Sequence, residues 1–352
     1  MQARGSGDAL RQRTRRRTAH RDIGARLQAA ARRIAEHVEL ASDAPRNPAR
    51  QRRQCHALEA ELVLDAGRQT HALAHRAAQP RIGHRRRDPR ATDRRDHAHL
   101  VTFHPRGPGL SSAQVRSAPW LDFYMNQSSH AARDLDTGLY VENDLALRPR
   151  RPVIDGEPRY EGIPVGFYNR GHDPRLRFDD DDVRQAAWWS VMAGAAGHTY
   201  GNNNVWQMWA PGREPAIGAN RPWHDAIEDP GARQMGLLRR FMEEHRFHLL
   251  EPRQDLILDG PMHGPAKLRA ARAADGSRII VYSPRGEPFT LDLGELEGGM
   301  HTQTWFDPRY GAKYPFRTEQ SQGIQGFVPP SSGEGEDWVL VLEAETEREG
   351  SP

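Results

Sequence analysis

The stretch Pro152-Val153-Ile154-Asp155-Gly156-Glu157-Pro158-Arg159-Tyr160-Glu161 decides how this chain is read. Val153 and Ile154 are β-branched, a shape that packs well on a pleated surface. A short apolar run stopped by glycine predicts a strand over Pro152–Asp155, closed by Gly156. Glu157 then stands immediately past the strand end. Working outward, His99–His104 reads as a strand ending at Pro105, Trp120–Met125 as a second and Gly197–Tyr200 as another. Between the last two of these runs, Asp179–Asp182 precede Val183, Ala186, Ala187, Ser190 and Val191, the i, i+3, i+4, i+7, i+8 spacing of one apolar helix face. The carboxylates complement the helix dipole and cap free amides. Consecutive aspartates lack the spacing and the turn glycine of a calcium loop, so capping is the expected role. A later helix opens with Asp229 and Pro230, buries Met235, Leu238 and Met242, and ends near His245. Strands alternating with helices predict a parallel sheet. Four such units make one half of an eightfold (β/α)8 TIM barrel, a fold whose chemistry sits at the C-terminal strand ends.

From about Asp255 the pattern changes to strands alone. Lys267–Ala273 leads into the hairpin signal Asp275-Gly276 and then Arg278–Tyr282. Phe289–Leu293, His301–Phe306, Gly326–Val328 and Trp338–Leu342 complete a small antiparallel β-sandwich, expected to brace the barrel. The expected division is therefore 1–98, a partial barrel over 99–248, a sandwich over 249–345 and a tail over 346–352.

Residues 1–100 stand apart. They hold 23 Arg and 8 His but no Lys, Phe, Trp or Tyr, and every aromatic of the chain lies from Phe103 onward. Aromatics supply the large buried surfaces of a core, so this segment is expected to be disordered or loosely helical. Its basic runs, Arg11–Arg17 and Arg81–Arg90, would attract phosphate backbones. No helix-turn-helix pattern, stacking platform or zinc spacing accompanies them, so nucleic acid is not the expected partner. Such a composition is also what a GC-rich gene translated out of frame produces, with the true frame expected to resume near His97–Leu100.

Other classes fall away on simple grounds. Cys55 is the only cysteine, so no internal disulfide forms. No run of 18 apolar residues is present, so no membrane span is expected. Met1-Gln2-Ala3-Arg4-Gly5 leads into no apolar segment, which makes the cytoplasm the expected location. Neither a cofactor nor a metal is expected.

Several runs together resemble a known family. Thr102–Gly107, Trp120–Phe123, Asp155–Glu161, Gly194–Trp206 and Asp229–Ala232 are similar to the apiosidase-like glycoside hydrolases. Trp305–Arg309 and Asp337–Leu342 resemble the small β-sandwich that follows them, labelled a collagen-binding domain. The resemblance implies a (β/α)8 barrel with its acid/base after strand 4 and its nucleophile after strand 7. The strands found here would then be strands 5 to 8. It implies a retaining hydrolase of plant polysaccharide side chains, truncated and of doubtful activity because the acid carboxylate is not found upstream. The alternative is a non-catalytic carbohydrate- or matrix-binding remnant. Glu157 becomes the expected nucleophile, with Glu161 and Asp155 as rivals, against a purely structural carboxylate paired with Arg159. His104, Asn126, Gln127, Tyr160, His198 and Tyr200 are candidates for sugar hydroxyls, whose donor and acceptor character their tips match. Trp206 and Trp209 are candidates for stacking on a sugar face.

Overall fold

Residues 153–155 do form a strand, and they sit in the middle of a sheet. The computed structural model describes residues 100–128, 130–298, 300–320 and 323–345, all within one structural unit. The expectations for residues 1–98 and for the tail fall outside them. In the α/β part the strands are β1 (Gly109–Leu110), β2 (Tyr124–Gln127), β3 (Val153–Asp155), β4 (Tyr160–Glu161), β5 (Gly197–His198) and β6 (Gly201–Asn202). The helices are α1 (Ser112–Val115), α2 (Gly138–Leu145), α3 (Asp180–Met192), α4 (Asn203–Trp206), α5 (Trp223–Ala226) and α6 (Pro230–Glu244). β2, β3 and β5 are parallel neighbours, β1 adds an antiparallel edge, and β4 and β6 form a separate parallel pair. This is a partial α/β region.

Helix α3 starts where the aspartates require. Asp179 is extended, its Oδ1 accepts from the Asp182 amide at 3.2 Å, and the Asp182 carboxylate accepts from the Asp179 amide at 2.9 Å. That reciprocal box satisfies two amides that have no partner within the helix. Asp229 heads α6 with Pro230 at the first position, but its side chain makes no cap. It accepts instead from Asn202 and Arg221.

The expected strand His99–His104 is not one. Val101 exchanges its hydrogen bonds with a single residue, donating to Asp122 Oδ2 at 2.8 Å and accepting from the Asp122 amide at 2.9 Å. A side-chain carboxylate in place of the backbone carbonyl diverts the ladder. Leu100 and Val101 are exposed, so no layer packs on them. For the same reason β2 begins at Tyr124 rather than at Trp120, which is exposed as well.

The second part consists of antiparallel sheets: β7 (Leu250–Pro252), β8 (Ile257–Asp259), β9 (Arg269–Ala273), β10 (Arg278–Ser283), β11 (Phe289–Asp292), β12 (Met300–Phe306), β13 (Lys313–Gln320), β14 (Ile324–Phe327) and β15 (Trp338–Ala344). Six strands run in the order β13-β12-β15-β10-β9-β7 and three in the order β14-β11-β8. Alternation explains how they stack. Ile279 and Val281 of β10, with Leu340 and Leu342 of β15, share a core with Leu291, Phe289 and Phe327 of the smaller sheet. Ile280, Tyr282, Val339 and Val341 face the other way, against Trp188, Trp189, Leu238 and Phe241 of α3 and α6. The large sheet is buried on both faces, so its central strands read as unbroken apolar runs.

Buried charge reinforces that second layer. Arg184 of α3 donates to both carboxylate oxygens of Asp337, at 2.8–3.1 Å, and to Gln234 of α6 at 2.8 Å. Arg269 of β9 and Lys267 donate to Asp136, just before α2, at 2.6–2.9 Å. Burial works against the charge on Asp136, yet the two cations hold its carboxyl below the usual range.

Candidate active site

Glu157 is fixed at the end of β3 by its backbone. The amides of Gly156 and Glu157 both donate to the Asn126 carbonyl, and the Ser128 amide donates to the Glu157 carbonyl at 3.2 Å. Three nitrogen-bearing side chains then converge on the carboxylate. Gln127 Nε2 donates to Oε1 at 2.5 Å, His130 Nε2 lies 3.3 Å from the same oxygen, and His104 Nε2 lies 3.1 Å from Oε2. The Glu157 side chain is 24% exposed, so it is held but open to solvent. Gln127 reaches it only because residue 107 is glycine: a Cβ there would fall 2.6 Å from Gln127 Cδ. His104 Nδ1 lies 2.8 Å from the Pro105 carbonyl. Both its ring nitrogens therefore face acceptors, and a ring with one proton satisfies only one of them.

Arg159 does not neutralise Glu157. Its guanidinium is fully buried, donates to the carbonyls of Asp182 and Leu135 and to Gln185, and lies over the Trp189 ring at 5.6 Å. Burial lowers its pKa from the usual arginine value. The structural pairing of Glu157 with Arg159 is thereby excluded.

Asp155 lies beneath the site, fully buried, and accepts from Ser128 Oγ and Ser190 Oγ at 2.9 Å each. Burial pushes its carboxyl up to about 7 against the pull of those hydroxyls. His198 Nδ1 stands 3.7 Å from Asp155 Oδ2 with its side chain 4% exposed. Burial, then the charge of Arg159, pushes that imidazole down to about 3. His198 is a neutral residue of the site's floor rather than of its surface.

Tyr200 belongs to a neighbouring cluster. Its hydroxyl donates to Glu161 Oε2 at 2.6 Å, and Asn202 Nδ2 donates to Asp229 at 2.7 Å. Burial pushes Glu161 up to about 7, with Asp229 adding to the effect, while the Tyr200 hydrogen bond opposes it. Tyr160 is half-buried, edge-on to His130 at 5.0 Å, and burial together with the Glu157 charge pushes its phenol up to about 12.

Asn126 is not at this site. Strand alternation puts it on the buried face with Tyr124, where its amide donates to Asp144 Oδ2 at 2.8 Å, while Gln127 takes the other face. Trp206 on α4 is exposed with its indole donating to Asn203, and the Trp209 indole donates to the Arg213 carbonyl. Neither contact links an indole to Glu157. The structure brings His104, Gln127 and Glu157 together with His130, a residue that the sequence did not single out. The only hint of it was a polar run, Ser128-Ser129-His130, following a strand end. Among the described residues no group of three or more His, Cys, Asp or Glu could hold a metal ion, and no helix is long and apolar enough to cross a membrane.

Comparison with known proteins bears on this geometry. Residues 78–248 match the family described as "Apiosidase-like, catalytic domain", and residues 252–343 match "Putative collagen-binding domain of a collagenase". A solved structure titled "Glycoside hydrolase" is 34% identical, with a TM-score of 0.67, covering 71% of this chain and 58% of its own. A glycoside hydrolase family 5 structure from Bacteroides vulgatus is 32% identical, with a TM-score of 0.67, covering 73% of this chain and 58% of its own. The chain thus spans 58% of the length of each of these structures. No curated protein matches it. The chain is thus similar to the apiosidase-like glycoside hydrolases over residues 78–248 and to the collagen-binding-domain family over residues 252–343.

Proposed function

We propose that residues 99–248 are part of the C-terminal half of a (β/α)8 barrel of a retaining glycoside hydrolase acting on plant polysaccharide side chains, with β2, β3 and β5 in the places of strands 6 to 8 and Glu157, after strand 7, as its nucleophile. The observation that carries this reading is the carboxylate of Glu157 at a parallel strand end, open to solvent and gripped by Gln127, His130 and His104. In a retaining enzyme such a carboxylate attacks the anomeric carbon, while a second one about 5 Å away protonates the leaving oxygen. Glu161 and Asp155 do not suit the attack. Asp155 is fully buried, and Glu161 is tied to Tyr200 with its proton retained up to about pH 7. The family pattern would place the acid after strand 4, and no described carboxylate is assigned to it. His104 and Tyr160 beside Glu157 are the groups that would meet sugar hydroxyls, and Trp206 the exposed face on which a sugar would stack. The match to glycoside hydrolases favours this over a non-catalytic binding remnant. The C-terminal module acts as the brace of the catalytic part. The test is hydrolysis of a panel of 4-nitrophenyl glycosides by the full chain and by Glu157→Gln. Slow turnover is expected in the first, since a 4-nitrophenolate leaves with little help from an acid, and a loss of at least roughly 10²-fold in the second, the scale expected for a group acting directly in the transition state. Undiminished turnover by the variant would remove Glu157 from the mechanism.

A further inference from the structure

We propose that His130 is the positioning residue of this site: a neutral imidazole, protonated on Nε2, that fixes Glu157 Oε1 and so leaves Oε2 as the reacting oxygen. The proposal rests on the nucleophile reading above. Its starting point is an asymmetry between the two histidines on the carboxylate. His104 is 46% exposed in its side chain and can swing away to make room for a ligand, whereas the His130 side chain is 5% exposed. His130 is also clamped. Its ring stands edge-on to Tyr160 at 5.0 Å and tilted against Phe167 at 5.8 Å, and its carbonyl accepts from the Gly166 amide at 2.7 Å.

The tautomer follows from the surroundings. His130 Nδ1 is buried with no hydrogen-bond partner among the described residues, while Nε2 faces Glu157 Oε1 at 3.3 Å. A proton on Nδ1 would be buried without an acceptor, which is costly. A proton on Nε2 has a carboxylate waiting. Gln127 donates to that same oxygen, so Oε1 receives two fixed donors and Oε2 one exposed and removable contact. A carboxylate anchored through one oxygen presents the other along one direction, and a displacement of about 1 Å in such geometry costs on the order of 10²-fold in rate.

The experiment uses the full chain with ring-15N histidine. In the wild type the His130 ring is expected to show a protonated Nε2 and a bare Nδ1, with the Nε2–H resonance moving in Glu157→Gln. In hydrolysis of the glycoside panel, His130→Phe, which keeps the ring and loses the donor, is expected to lower kcat roughly 10- to 100-fold with KM little changed. His130→Gln, which returns an N–H near the same place, is expected to recover part of that loss. A merely structural histidine would give no such rescue and no such split. An Nδ1-protonated ring, or a ring blind to Glu157→Gln, overturns the proposal even if His130→Phe does not fold. His130→Phe turning over at the wild-type rate overturns it and leaves the nucleophile reading intact. Glu157→Gln turning over at the wild-type rate removes that reading instead, and the ring resonance still decides whether His130 orients the carboxylate.

Discussion

Replacing Asp337 or Arg184 should reveal how firmly the antiparallel sheets are joined to the α/β part. Both side chains are buried, at 3% and 1% exposure. Removing one member of a buried ion pair strands the other, at a cost of about 3–5 kcal/mol. The two ends are not equivalent. After Asp337→Ala, Arg184 still meets Asp181 at 2.6 Å, Asp180 at 3.3 Å and Gln234 at 2.8 Å, so the loss should fall near 3 kcal/mol. After Arg184→Met, Asp337 keeps the Tyr282 hydroxyl at 3.1 Å but no cation among these partners, and the loss should approach about 5 kcal/mol. The double variant Arg184→Met/Asp337→Leu removes both charges, and an apolar pair of similar volume is often close to neutral. It should therefore be more stable than the sum of the single losses, by at least roughly 2 kcal/mol of coupling. Urea unfolding followed by tryptophan fluorescence reads this directly, because Trp188 and Trp189 lie in the same buried layer. Single losses below about 1 kcal/mol, or strict additivity, would refute the argument that burial makes this pair costly to break.

Other outcomes follow from the same geometry. Glu161 is pushed up to about 7 from 4.5, so between those values the folded chain holds a proton that the unfolded chain has released, and stability falls as pH rises through that window. Glu161→Gln should remove up to roughly 3 kcal/mol of that decline between pH 4 and 8; equal pH slopes in urea titrations of variant and wild type would contradict it. Gly231→Ala should cost about 1–3 kcal/mol, since its Cβ would fall 2.3 Å from Glu161 Oε2 and 2.8 Å from Val183 Cγ2, and an unchanged thermal midpoint would mean that the cluster yields easily. Asp179→Ala removes the reciprocal cap of α3 and should lower stability by about 1 kcal/mol, read from the urea midpoint, with no loss counting against the cap.

Helices α3 and α6 were legible because their signals are local. A capping aspartate, a proline at the first position and an apolar spacing of three and four residues act within one segment. The hairpin at Asp275-Gly276 was legible for the same reason. What failed depended on partners elsewhere. The run around Val101 has the composition of a strand, but Asp122 offers its side chain where a ladder needs backbone. Helix α2 carries glycine, asparagine and aspartate and no clear apolar period, so packing against α3 and the sheet rather than propensity makes it a helix. Strand β13 contains Pro315, a residue that argues against a strand except at an edge, which is where β13 lies. At the site, Glu157, Gln127 and His104 were visible as polar residues at strand ends. Asn126 looked equivalent to Gln127 until the pleat assigned them opposite faces. His130 was hidden because it reaches the carboxylate from a loop, with no spacing to announce it.

The salt-linked corner made by Asp136, Lys267 and Arg269 has a practical consequence for anyone shortening this protein. Asp136 lies six positions beyond His130, on the loop that carries the site toward α2, and its counter-charges come from Arg269 of β9 and from Lys267 just before it. A cut after Leu249 would not free an autonomous fragment. It would leave an aspartate stripped of both cations next to the residues that align Glu157, and would bare the indole of Trp188. Expression work aimed at this site should therefore keep residues 250–345 attached.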